Sequence, residues 1–240
     1  KQWTDDPTPV GDELRERIGR ELNIGFWTGR LGLWGDEDVV ELNLAKIRRA
    51  FAAIPGAEIA ATKYTADQLW EGDVPAHDQV QAGIPNMFTS NFMDWYSETN
   101  GAHWSVSPIV PLDGESFVEV SGLLRSRIEA AGFDYFDGCM VNSDRSVSIV
   151  GTICFDRDNP EHVRNVREVA HELAAELGSR GYGEYRAHTD VMEAATAQYG
   201  WNDFAYRRFV ERIKDAVDPQ GILNPGRYGI WPAGLRGSER

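Results

Sequence analysis

Histidine titrates closest to neutral pH, and the chain has five. Each is a candidate proton carrier, nucleophile or metal ligand. His162 and His171 fall in a charged segment with helical spacing. His171-Glu172 lacks the second histidine that would complete the zinc-protease pattern HExxH, so solvated helix positions are expected for both. His77 lies in an acidic, Gly/Pro-spaced stretch without a pattern. His103 differs because it follows Asn100-Gly101-Ala102, where glycine permits close backbone approach, and it opens an apolar run ending at Ser107-Pro108. A neutral imidazole held there could be a nucleophile, a ligand or a satisfied core group. Tyr185-Arg186, with His188 close by, offers a phenol and a permanently charged guanidinium side by side. Together they can donate several hydrogen bonds to one carboxylate or phenolate oxygen; a salt bridge to one of the many acids is the competing reading.

Other chemistries are absent from the sequence. There is no GxGxxG, GxxxxGK[ST] or GxSxG, so no nucleotide or acyl-enzyme site is visible. Cys139 and Cys154 lack a CxxC spacing and sit among apolar, β-branched neighbours, which predicts buried, reduced thiols, no metal site and a cytoplasmic setting. The 240 residues are 42% hydrophobic and 26% charged, with a net charge of −14, which suits a packed globular chain. Such a field disfavours nucleic acid and anionic membrane as partners. No apolar run reaches bilayer length and no leader is evident, while a first residue of Lys1 rather than Met suggests that sequence precedes it.

The elements that must position these residues follow from periodicity. Residues 4–10 read as an extended arm, and Asp12 opens a helix over 12–22. Residues 24–34 suggest a strand or irregular hairpin. Asp36 caps an amphipathic helix over 36–54 that ends at Pro55-Gly56, and a strand follows near 57–62. Residues 66–100 are loop-like and rich in aromatics, as at a core edge or pocket. From His103 the order is strand 103–110, helix 113–131, strand 133–141, turn 142–146, strand 147–155, helix 159–181 and strand 182–187. That β-α-β-β-α-β order is the split arrangement, an α+β fold with an antiparallel sheet flanked by helices and a helical C-terminal segment. Helical stretches at 189–199 and 203–217 precede a turn-rich tail, for which nothing in the remaining sequence offers an obvious packing surface.

Gly183-Glu184-Tyr185-Arg186-Ala187-His188, Tyr206-Arg207-Arg208-Phe209 and the run from Lys214 through Asp218-Pro219-Gln220-Gly221-Ile222-Leu223-Asn224-Pro225-Gly226 to Trp231-Pro232 resemble the C-terminus of the vanillyl-alcohol oxidase and 4-cresol dehydrogenase flavoproteins. The resemblance extends through Asn100-Gly101-Ala102-His103 and Ala82-Gly83-Ile84-Pro85 back to Pro55-Gly56. It implies a substrate-binding cap domain over 1–182 and a C-terminal segment over 183–240 that packs on an N-terminal FAD-binding half outside this chain.

Through the same resemblance, His103 matches the covalent attachment point of FAD, consistent with the nucleophilicity of a neutral imidazole. Tyr185 and Arg186 match the pair that binds a para-substituted phenol as phenolate, favouring hydride departure from the benzylic carbon. Phe92, Met93, Trp95 and Tyr135 fall near the family's aromatic pocket. Ser105 and Gly138 replace larger side chains there, which would widen it. The implied activity is FAD-dependent oxidation of 4-alkyl or 4-hydroxymethyl phenols with oxygen as acceptor, in a homo-oligomer and without a metal. The alternatives are a cytochrome-coupled 4-cresol-type dehydrogenase and a non-redox module that binds aromatic acids.

Overall fold

The structure, a computed structural model, describes residues 3–4, 9–95, 97 and 100–237, excepting the side chains of Thr89, Asp94 and Trp95. The chain forms two compact units, one of Lys1–Asp12 with Met93–Arg240 and one of Glu13–Phe92. The boundary expected at 182/183 falls inside the first.

The first unit is built on β1 (Gly101–Val106), β2 (Ile109–Pro111), α5 (Gly114–Ala130), β3 (Tyr135–Val141), β4 (Ser146–Asp156) and α6 (Pro160–Ser179). The expected α+β order is present. β4 is central, with β1 and β2 end to end along one edge and β3 along the other, all antiparallel. β1 and β2 share one register against β4 and are separated at Ser107-Pro108. Proline has no N–H to donate there, although its carbonyl still accepts from Ile149 N.

Both long helices cover one face of this sheet, for reasons visible in their sequences. Asp113 caps α5 by accepting from Ser116 N at 2.7 Å, and Asn159 caps α6 with Pro160 at its first turn. α5 buries Val120, Leu124 and Ile128, while α6 buries Val166, Val169, Ala170, Leu173, Ala174 and Leu177, one stripe each at helical spacing. Against them pack Trp104, Val106, Val110, Phe133, Ile149 and Ile153. Fully burying a side chain of this size stabilises by roughly 1.5–3 kcal/mol. Truncating Leu124 to alanine in the centre of this layer would therefore cost about 2–5 kcal/mol.

The strand expected over 182–187 reduces to one bridge, Pro108 with Glu184. The cause is a side chain: Ser107 N donates to the Glu184 carboxylate at 2.5 Å and is no longer available to continue a ladder. Beyond it lie α7 (Met192–Ala197) and α8 (Trp201–Val217), and the tail folds back on the chain itself, contrary to the expectation that it lacked a surface. Asp218, 5% exposed, pairs with Lys214 at 2.6 Å and accepts from Ile222 N and Leu223 N. Hydrogen bonds to Lys214 hold its carboxylate below the usual range. Lys214 Nζ also donates to Leu223 O. Gly226, at φ +84°, turns under the Trp231 indole, where a Cβ would sit 2.3 Å from the ring.

The second unit contains α1 (Asp12–Leu22) from Glu13 on, then α2 (Glu37–Phe51), α3 (Ala66–Glu71) and α4 (Ala76–Gln79). Thr65 and Gln68 form a capping box for α3, and Lys63 bridges Glu37 and Glu41 at 2.9 and 2.5 Å. Asp36 precedes α2 without a side-chain cap, and the helix stops at Phe51, short of the expected 54. Neither strand expected at 24–34 nor that at 57–62 forms. The first is interrupted by Gly25, Gly29 and Gly32, the second is alanine-rich, and neither has a pairing partner among the described residues. Phe26, Trp27, Leu31 and Trp34 remain exposed. No helix of the described residues is long and apolar enough to cross a membrane.

Candidate functional site

The pleat of β1 sorts its side chains. Ala102, Trp104 and Val106 face the helices, so His103, Ser105 and Ser107 fall on the opposite, helix-free face. Directly opposed residues of an antiparallel pair share a face. His103 therefore lies beside Cys154, and Ser105, Thr152 and Phe136 form a row across three strands. Val150 is opposed by Gly138 in the row that continues Ser107. This face is floored by small side chains, and a Cβ built on Gly138 meets nothing within 4 Å. Both substitutions expected to widen the pocket, Ser105 and Gly138, lie on it.

His103 sits at one end. Desolvation by the surrounding protein holds its pKa below the ordinary imidazole value, which favours the neutral, nucleophilic form at neutral pH. Its Nδ1 lies 3.1 Å from the Met93 sulfur. The expected close approach at Gly101 brings these two together, for a Cβ on Gly101 would fall 2.1 Å from Met93 O. Asn100 fixes the start of the strand by donating to Asp158 at 2.6 Å and accepting from Arg157 N.

Tyr185 and Arg186 sit at the other end. Tyr185 N donates to Ser107 O at 2.7 Å, and Ser107 is four residues along the strand from His103, about 13 Å. Tyr185 is 47% exposed, while Ala187 returns to the core at 3%. The Arg186 guanidinium lies 5.9 Å from the Tyr185 ring centroid and has no ion-pair partner among the described residues.

The remaining expected site residues divide. Met93 joins His103, whereas Phe92 belongs to the second compact unit and the Trp95 side chain lies outside the described residues. Tyr135 needs correcting. It is opposed to Ile153 and Trp104, so the pleat turns it toward α5, where its hydroxyl donates to Asp137 at 2.8 Å and lies 3.2 Å from Ser121 Oγ. Burial raises its pKa, and it does not share the face of His103. Phe136, its neighbour, does, and simple alternation from β3 would have identified it.

Two further expectations change. His162 is half-buried against Phe133 and accepts from Asp156 N, so it is not a solvated position. Of the two cysteines, both free, only Cys154 is buried; Cys139 is exposed on the edge strand β3. Burial pushes the Cys154 thiol up to about 12, which makes it inert beside His103. His188 stacks on Trp104 with ring centroids 3.8 Å apart and caps the next turn through Asp190 N, a packing role.

A four-stranded antiparallel sheet with its two long helices on one face, and with His103, Phe136 and the strand end paired to Tyr185 on the other, frames the candidate site. The family described as FAD linked oxidases, C-terminal domain, matches residues 103–228, and the chain belongs to that family. It is 25% identical over 95% of its length to the 4-cresol dehydrogenase [hydroxylating] flavoprotein subunit of Pseudomonas putida, covering 42% of that protein. It is 24% identical over 79% of its length to 1'-carboxy-chondrochloren decarboxylase of Chondromyces crocatus, covering 32% of it. Among solved structures, the 4-ethylphenol oxidase of Gulosibacter chungangensis in complex with isoeugenol aligns over 98% of this chain and 45% of its own, with a TM-score of 0.81 and 28% identity. A p-cresol methylhydroxylase with bound substrate aligns over 96% of this chain with a TM-score of 0.76 at 23% identity, a likeness of fold. The chain thus spans less than half the length of these relatives.

Proposed function

We propose that this chain is the substrate-side half of a flavoenzyme that oxidises para-substituted phenols, of the 4-alkyl or 4-hydroxymethyl class, with oxygen as acceptor. The observation that carries the reading is the pair Tyr185 and Arg186. They are held against one end of a helix-free sheet face whose other end presents His103, and Arg186 has no carboxylate partner among the described residues. A phenolate oxygen supplies the missing anion. The guanidinium fork and the Tyr185 hydroxyl donate to it, and charge-assisted hydrogen bonds of this kind are roughly twice as strong as neutral ones.

The residues present fit FAD at the opposite end. His103 is an imidazole whose pKa is lowered by burial, which favours the neutral nucleophile that a covalent attachment requires, and we assign it as the flavin tether. When bound, FAD supplies a two-electron acceptor for a hydride leaving the benzylic carbon. This chain's contribution is to hold the substrate as phenolate, whose negative charge is neutralised as that hydride departs. The floor of Ser105, Thr152 and Gly138 leaves width for a flat ring, with Phe136 along one side and Met93 beside His103.

The reading also assigns 183–240 to packing on the FAD-binding half and makes the enzyme a homo-oligomer. A cytoplasmic location suits two free cysteines. Mixing the complete flavoenzyme anaerobically with 4-ethylphenol tests it: the flavin should bleach within seconds and recolour on exposure to air. Bleaching followed by sluggish recolouring would rule out oxygen as acceptor, and no bleaching with any 4-alkylphenol would rule out the substrate class.

A further inference from the structure

The short run that presents Tyr185 and Arg186 is anchored on both sides in an unusual way. An ordinary antiparallel ladder would have Ser107 N donate to the Tyr185 carbonyl. Instead the Glu184 carboxylate takes that N–H at 2.5 Å, while Tyr185 N keeps its bond to Ser107 O. Pairing therefore stops after one bridge, two exposed residues follow, and Ala187 re-enters the core.

On the preceding side, Ile109 N donates to Gly183 O at 2.8 Å. The Tyr199 hydroxyl packs so closely on Gly183 that a Cβ there would lie 2.7 Å away. Glu184 itself is largely desolvated and has no ion pair among the described residues. A desolvated carboxylate without a counter-ion costs stability, and such local costs persist where the surroundings enforce them, commonly at sites of function.

We propose that Glu184, through its hydrogen bond to the Ser107 amide, is the positioning residue that turns Tyr185 and Arg186 out of the sheet and fixes them toward the phenol oxygen. The inference rests on the phenol reading above and adds a residue that need not touch substrate.

The test uses the complete FAD-loaded enzyme and 4-fluorophenol, which has no benzylic hydrogen and so binds without being oxidised. Binding is read by perturbation of the flavin spectrum, alongside KM and kcat for 4-ethylphenol and Tm. Glu184→Ala should raise Kd and KM about tenfold, the loss of one charge-assisted hydrogen bond at the low end of its range, with a smaller change in kcat. Glu184→Gln retains an oxygen that accepts from Ser107 N and should stay within about twofold of wild type, a rescue that a charge effect would not show. Should Glu184→Ala fail to fold, Gly183→Ala carries the same test, because its Cβ displaces Tyr199 and loosens the same anchor.

A Kd within twofold of wild type for the alanine variant would overturn the positioning role, whatever happens to Tm. If Arg186→Ala abolishes binding while Glu184→Ala does not, the phenol reading stands and only the positioning role falls. If wild-type enzyme does not bind 4-fluorophenol, both fall together.

Discussion

Replacing Arg186 with alanine separates phenolate binding from every structural role the residue could have. Its guanidinium contacts the Tyr185 ring at 5.9 Å and makes no ion pair among the described residues, so truncation leaves no buried partner unsatisfied. Tm should therefore hold. What is lost is one charge-assisted interaction with the phenolate, worth about 1.5–3 kcal/mol. At 1.4 kcal/mol per tenfold, kcat/KM for 4-ethylphenol should fall about 10- to 150-fold. Arg186→Lys restores the charge but not the planar fork and should recover part of that loss. The assay is steady-state oxidation by the complete flavoenzyme, with thermal unfolding of each variant as control. An Arg186→Ala enzyme within twofold of wild type at every substrate concentration would refute the assignment of the anion site.

Ser105→Phe fills the centre of the small-residue floor between His103 and Ser107. It should lower kcat/KM for 4-propylphenol relative to 4-methylphenol by about tenfold, within the 1–3 kcal/mol a pocket discriminates per methylene; equal effects on both substrates would place Ser105 outside the pocket. Burial raises the pKa of Glu184, so the folded state bears a cost above that raised value, relieved as pH falls to the ordinary glutamate range. Glu184→Gln removes the cost, and its Tm gain should be largest at pH 7–8 and shrink toward pH 4.5; a gain that grows on acidification would contradict the direction. Titration of the chain with a thiol reagent should modify Cys139 alone in the native state, with Cys154 reacting only on unfolding, as its exposure and elevated pKa dictate. Two equally fast reactions would show that β4 does not bury Cys154.

Local chemistry in the sequence was sufficient for some elements and insufficient for others. Asp113, Asn159 and Pro160 marked the starts of α5 and α6, and Gly101 announced a close backbone approach, because caps and steric exclusions act within a few residues. Residues 24–34 and 57–62 read as strands on composition, yet a strand exists only where a partner completes its ladder, a long-range condition. The strand at 182–187 was cut short by the Glu184 side chain competing for a backbone N–H, which no propensity scale records. The family resemblance puts Tyr135 near a pocket, whereas its face is decided by register, and a one-residue shift in parity exchanges it with Phe136. The histidine and the Tyr-Arg pair were visible as residue types. Their separation along one strand face became apparent only from the pairing of Tyr185 with Ser107.

The most direct measurement is the fate of the flavin when the complete enzyme is precipitated with acid and digested. The pigment should remain with the protein pellet, and mass spectrometry should find FAD on the peptide carrying His103, with the adduct absent from His103→Ala. Release of all the flavin into the supernatant, or an adduct on a different residue, would contradict the assignment of His103 and of the face it defines.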